Sequence, residues 1–137
     1  FAAIASLGLD EEALREAFRR MVFNVAAVNR DDHTKNLAFM LPENGAWMLT
    51  PAFDISHSYN PSGDWTQRHQ LSVNGRFDGI TQDDLYAVGD RFAVPGFKRL
   101  TREVLAAVAE WPDFASEAGV STTETQRILA DMRRFAP

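Results

Sequence analysis

Leu14, Phe18, Met21, Val22, Val25 and Val28 recur at steps of three and four, which puts them on one helical face and predicts a helix over residues 11–28. Asp10, just ahead of it, can accept the free N–H groups of the first turn, and Glu11 and Glu12 suit the positive end of the helix dipole. The period is lost at Asn29-Arg30-Asp31-Asp32, where short polar side chains compete with the helical backbone. A charged cluster therefore follows directly on a buried helix.

Leu37–Leu41 and Trp47–Thr50 are short apolar runs separated by Pro42-Glu43-Asn44-Gly45, and Asn-Gly between such runs signals a β-hairpin. Pro51 ends the second run, and Ala52-Phe53-Asp54-Ile55 follows. From Ser56 to Gln70 the chain is polar and without period, a length of loop that is usually functional or mobile. The remainder is helical. Thr81 and Asp84 have capping-box spacing ahead of Leu85, Val88 and Phe92. A stripe of Leu100, Val104, Val108 and Trp111 runs from Phe97 to about Ala118, with Pro112 expected to kink or restart it and Gly119 to end it. Ser121 and Glu124 open a last helix with Ile128, Leu129, Met132 and Phe135 inward. The expected architecture is mainly α, with one small β-hairpin carrying polar residues at both outer ends.

Composition narrows the function more than the fold. The 137 residues make one domain or part of one, with a hydrophobic content of 45% that supports a real core. A net charge of −5 supplies no overall field toward phosphate backbones or anionic lipid, and the basic pairs Arg19-Arg20, Lys98-Arg99 and Arg133-Arg134 read as solvated helix faces. With no cysteine, disulfides, thiolate nucleophiles and thiolate-bound zinc are excluded, which fits a reducing cytoplasm. No apolar run approaches the roughly 20 residues that span a bilayer. Phe1 stands where an initiator methionine would, so the chain is expected to begin inside a longer protein.

Asp31 and Asn36 lie five positions apart on the loop after the helix, and Asp54 follows the hairpin. A hairpin brings its ends together, so Asn36 and Asp54 can face one cavity. Phosphoryl transfer calls for this inventory: one carboxylate to take or orient the proton of the attacking hydroxyl, and oxygen ligands to hold magnesium against nucleotide phosphates. Asp-x-x-x-x-Asn, a strand pair, then an aspartate is the protein-kinase order of catalytic and metal loops, with Asn29-Arg30-Asp31 approximating its His-Arg-Asp triplet. Each residue also has a simpler reading. Asp31 and Asp32 suit a helix end or turn, His33 a surface, Asn36 a strand cap, and Asp54 an Asx-turn after Pro51. Only their joint spacing favours the chemistry.

Asp31-x-His33-x-Lys35-Asn36, an apolar strand, then Leu49-Thr50-Pro51-Ala52-Phe53-Asp54-Ile55 resembles the catalytic segment of the HipA-like serine/threonine kinases. Gln70-Leu71-Ser72-Val73-Asn74-Gly75 and the helical tail through Trp111, Gly119 and Val120 extend the resemblance over nearly the whole chain. It implies the helical C-lobe of a protein-kinase-like fold over residues 1–137, with Mg²⁺ and ATP as cofactors and a protein hydroxyl as acceptor. By position Asp31 matches the proton acceptor. His33, Thr34, Lys35 and Asn36 match a nucleotide-contacting stretch, and Phe53 and Asp54 match the adenine-side and metal-binding pair. Asn36 and Asp54 are the implied magnesium ligands. The resemblance further implies a toxin–antitoxin setting in the cytoplasm, a protein substrate of translation, a DNA-binding antitoxin as partner, and contact with nucleic acid only through the antitoxin; a homodimer belongs to the alternative reading as an interaction module.

Asp32 departs from the small residue expected after the catalytic aspartate; its alternative task is to accept backbone N–H bonds in the turn that orients His33. The eight glycines are scattered and no lysine-bearing strand precedes residue 11, so the nucleotide-covering lobe is expected to lie outside this chain and the chain alone to be inactive. Two other readings compete. Asp31, His33, Asp54 and His57 could form a mixed carboxylate–imidazole centre of a metal-dependent hydrolase, or the helical surface could be a non-catalytic module for antitoxin binding or dimerisation.

Overall fold

The computed structural model describes residues 1–43 and 45–132. Helix α1 (Ala2–Ser6) precedes α2 (Glu11–Ala26), a single 3₁₀ turn (Thr34–Asn36), strands β1 (Phe39–Met40) and β2 (Met48–Leu49), and then α3 (Gln82–Arg91), α4 (Phe97–Ala109), α5 (Trp111–Glu117) and α6 (Thr122–Met132). The molecule is mainly helical, with one two-stranded antiparallel sheet. Among the described residues no helix is long and apolar enough to cross a membrane.

Asp10 caps α2 through Oδ1, which accepts from the Ala13 N–H at 2.9 Å. The helix stops at Ala26, two residues before the end its apolar period predicts, because Val28 turns into left-handed backbone at φ 56°. Such a conformation is rare for a β-branched residue and persists only when its surroundings hold it. Here they do: Val28 is 5% exposed, its carbonyl accepts from the Ser58 N–H at 3.2 Å, and the Ser58 carbonyl accepts from the Arg30 N–H at 3.1 Å. This parallel bridge ties the start of the polar cluster to Ser58.

Both α3 and α6 begin as their sequences predict. Asp84 accepts from the Thr81 N–H at 2.9 Å in a reciprocal capping box, and the Glu124 N–H donates to Ser121 Oγ at 3.2 Å. Pro112 restarts the chain rather than kinking it, sitting in the first turn of α5 where its missing N–H is harmless. Gly119, at φ 73°, closes α5 with a Val120 N–H bond to the Ala115 carbonyl at 2.8 Å. Phe135 and Arg133-Arg134 lie outside the described residues. The short helix α1 is not signalled by the apolar pattern; it buries Ile4 and leads from Phe1, whose ring stacks on Phe92 at 4.9 Å.

The core joins Phe18, Val22 and Val25 of α2 to Leu85 and Val88 of α3 and to Leu100 and Val104 of α4, with Val73, Ile80 and Val94 from the connections. Phe18, Leu85 and Leu100 are fully buried, each worth about 1.5–3 kcal/mol of transfer free energy. Gly89 lets α3 and α4 approach, since a Cβ there would run into the Phe97 ring.

The hairpin is shorter than its apolar runs. Phe39 pairs with Leu49 and Met40 with Met48, so the hairpin expected between the two apolar runs is present. A bend is closed by the Gly45 N–H on the Pro42 carbonyl at 3.1 Å; Asn44 lies outside the described residues. Among the described residues an Asn-Gly turn lies at Asn74-Gly75, with φ of 51° and 80°, across which Val73 and Arg76 exchange two backbone bonds of 2.9 Å. Arg20 pins the hairpin to α2, donating to the Thr50 carbonyl at 2.8 Å while pairing with Glu16. Partial burial alone would raise the Glu16 carboxyl; Arg20 and Arg19 together outweigh it and hold the group below its ordinary value.

Candidate active site

The loop after α2 sends consecutive side chains to different parts of the molecule. Asn29, 2% exposed, donates through Nδ2 to Asn24 Oδ1 at 3.0 Å and to the Asp54 carbonyl at 3.2 Å. Arg30 donates to the Gln67 carbonyl, pairs with Asp78 at 3.0 Å and lies over the Tyr59 ring at 4.4 Å. The Asp31 side chain is 51% exposed. Asp32 turns inward, and after His33 the 3₁₀ turn presents Thr34 and Lys35 on the surface. Asn36 then reaches back, its Nδ2 donating to the Asp31 carbonyl at 2.9 Å.

Across the hairpin, Thr50 returns to Ala38 through N–H and Oγ1 bonds of 3.0 and 3.1 Å, so the two outer ends do meet. Asp54 follows in left-handed backbone at φ 52°, with an exposed side chain beside an exposed Phe53. Strained backbone of this kind clusters at functional sites. Of the sequence-predicted residues, Asp31 and Asn36 are joined directly and Asp54 is joined to the same loop through Asn29. His33 Nε2 stands 3.9 Å from Asp31 Oδ1, too far for a hydrogen bond. The donor chemistry fits magnesium: the amide nitrogen of Asn36 is occupied, which leaves its oxygen as the free donor, and Asp54 adds an exposed carboxylate.

Asp32 does not serve its own turn, as helix-end geometry suggests. Its carboxylate accepts from His69 Nδ1 at 2.9 Å, from the Gln70 N–H at 2.7 Å and from the Leu71 N–H at 3.3 Å, nearly forty residues along the chain. The polar stretch 56–70 is therefore tethered at both ends, at Ser58 and Tyr59 and at Gln67 and His69. His57 belongs elsewhere, 3.3 Å from Asp131 of α6 though misaligned for a hydrogen bond. Burial holds the His57 imidazole below its ordinary value, more strongly than the Asp131 charge raises it. Among the described residues no three His, Asp or Glu side chains gather where they could hold a metal ion, so the Asp31, His33, Asp54 and His57 centre of a hydrolase is not assembled.

Sequence reasoning missed His69 and the tethering roles of Asn29 and Arg30. The one available signal was the triplet itself: an asparagine with two amide hydrogens, then an arginine, at the exit of a buried helix. Two concavities are lined by none of Asp31, Asn36 and Asp54. One of about 270 Å³ lies behind the loop among Val28, Arg30, Tyr59, His69 and Asp131, and one of about 500 Å³ lies between the start of α2 and Trp47–Leu49. Thr34, Lys35, Phe53 and Asp54 are exposed, whereas His33 and Asn36 are half-buried.

A family model described as the HipA-like C-terminal domain matches residues 1–137. No curated protein and no solved structure matches the chain.

Proposed function

We propose, from the premise that this chain belongs to the HipA-like C-terminal domain family, that it carries the catalytic and metal-binding loops of an ATP-dependent serine/threonine kinase. The supporting observation is the double tether of one loop: Asn36 to the Asp31 carbonyl at 2.9 Å, and Asn29 to the Asp54 carbonyl at 3.2 Å. A network of this kind keeps a proton acceptor and two oxygen ligands in fixed relation, which is most of what phosphoryl transfer asks of a protein.

In this reading the exposed Asp31 carboxylate takes the proton of a serine or threonine hydroxyl as its oxygen bonds to the γ-phosphorus. The bond from that phosphorus to the ADP oxygen breaks, and Asp31 later releases the proton to solvent. Asn36 Oδ1 and the Asp54 carboxylate would hold Mg²⁺, which when bound offsets the charge of the phosphates. Lys35 adds a cation beside the phosphates, His33 and Thr34 line the same stretch, and exposed Phe53 offers an apolar surface to adenine. The exposed side chains of Asp31, Lys35, Phe53 and Asp54 need cover from another segment to exclude water, which is the part proposed for a nucleotide-covering lobe. Exposed Met40, Leu41, Trp47 and Met48 on the hairpin support contact of the helical domain with such a segment or with a protein partner. A toxin–antitoxin setting, a substrate of translation, a DNA-binding antitoxin, self-association and a cytoplasmic site of action complete the proposal.

The test is made on the full-length protein. Asp31→Asn should leave the fold and nucleotide binding in place and lower kcat by roughly 10²–10⁴, the usual weight of a positioned acid–base group. Asp54→Ala should abolish turnover and weaken Mg-ATP far more than metal-free ATP in a calorimetric titration. Equal weakening of the two nucleotide forms would assign Asp54 a structural role and defeat the metal-ligand reading.

A further inference from the structure

Asp32 is the carboxylate of the motif that the proposed chemistry leaves unused, and it is deeply buried: Asp32 is 5% exposed and His69 beside it 4%. A carboxylate taken out of water costs several kcal/mol unless donors replace the lost hydration. Asp32 has three, the His69 imidazole and the N–H groups of Gln70 and Leu71. A plain loop would not need such an arrangement, and an exposed aspartate would hold a turn without the burial.

The far side of the contact is rigid. His69 donates its N–H to the Phe77 carbonyl at 2.9 Å, and Val73, 2% exposed, roots the intervening turn in the core. Asn74 donates to Asp84 Oδ1 at 2.9 Å, and Asp84 caps α3. Burial alone would raise the Asp84 carboxyl, but its bonds from Asn74 and Thr81 together with the Arg76 charge hold it below its ordinary value, so this anchor stays ionised. Asn29 and Arg30 fix the other side of the loop, to Asp54 and to Gln67 and Asp78. Residue 31 is thus the exposed position between pinned neighbours.

We infer that Asp32 and His69 form a positioning pair whose task is to aim the Asp31 carboxylate, coupling the catalytic loop to the segment 69–71. The inference rests on the proposed role of Asp31. Orientation alone can carry a large share of a rate, and a displacement of about 1 Å costs on the order of 10². The pair acts through the backbone of residue 31 and touches no reacting atom.

The experiment uses the full-length protein with Mg-ATP and water as acceptor, following kcat, KM and the thermal midpoint. Asp32→Ala should lower kcat by about 30-fold or more while KM for Mg-ATP stays within about threefold. Asp32→Asn keeps an oxygen for the Gln70 and Leu71 N–H groups and can donate its amide to His69, so it should return kcat to within about fivefold of the parent. His69→Leu should lower kcat by about tenfold, and His69→Asn, whose amide occupies the place of Nδ1, should restore most of it. A kcat unchanged in Asp32→Ala, or an Asp32→Asn as impaired as the alanine variant at equal thermal midpoint, overturns the inference. Should Asp32→Ala fail to fold, His69→Leu decides, and an unchanged kcat there is equally fatal. Asp31→Asn runs alongside: its retaining full turnover would remove the kinase reading and this inference with it, whereas an inactive Asp31→Asn beside an active Asp32→Ala would remove the inference alone.

Discussion

The bundle of α2, α3 and α4 and the loop face beside it are held together by different forces. In the bundle, Phe18, Val22, Leu85, Leu100 and Val104 exclude water, and the attraction is non-directional and proportional to area. On the loop face almost every attachment is a side-chain hydrogen bond to a distant segment: Asn29 to Asp54, Arg30 to Gln67 and Asp78, Asp32 to residues 69–71. Such bonds add only about 1 kcal/mol each, or somewhat more where a charge takes part, but they fix direction. Stability resides mainly in the first region and geometry in the second.

Phe18→Ala should break the comparison from the bundle side with the largest effect. Removing a fully buried ring from the centre of the core is expected to cost about 3–5 kcal/mol in urea unfolding, much of the stability of a chain this size. Asp31→Asn, whose side chain is half exposed, should leave the unfolding midpoint nearly unchanged while removing turnover. A comparable stability loss in both variants would mean that the two regions are not separable.

Gly89→Ala sharpens the comparison at smaller scale, because two local effects oppose each other. Alanine favours a helix over glycine by about 1 kcal/mol, yet its methyl group would meet the Phe97 ring where α3 and α4 touch. Overpacking should win, with a net loss of roughly 1–3 kcal/mol in the same unfolding assay. Stabilisation by this variant would show that α4 yields readily and that the packing is looser than the contact implies.

The smallest effect is that of pH. The folded chain holds the His57 imidazole below the ordinary 6.5, first through burial and against the pull of Asp131. The unfolded chain therefore takes up the proton first, so the contribution of His57 is complete above about pH 6.5 and is lost as pH falls through the folded value. Between about pH 7.5 and 5.5 the protein should lose stability through this group, and His57→Gln should flatten that slope. An identical slope in the variant would place the proton uptake on another group. The lowered carboxyls of Glu16 and Asp84 act in a separate window, below about pH 4.5, where their protonation removes stability.

The sequence by itself determined the elements of the bundle. The three- and four-residue steps of Leu14, Phe18, Val22 and Val25, the Asp10 and Thr81 caps, Pro112 and Gly119 each act within one helical turn, and local rules of that reach can be read from neighbours in the chain. It also singled out Asp31, Asn36 and Asp54 as candidates for chemistry, by type and spacing. Tertiary structure alone decided how those residues are held. The left-handed turn at Val28 depends on Ser58, the inward turn of Asp32 on His69, and the place of His57 on Asp131 in the last helix. A second tight turn, at Asn74-Gly75, where Val73 enters the core, was likewise visible only in the folded chain. Hydrogen bonds between segments dozens of residues apart leave no period in either segment, because each partner fits many local patterns and only the folded chain brings the two together.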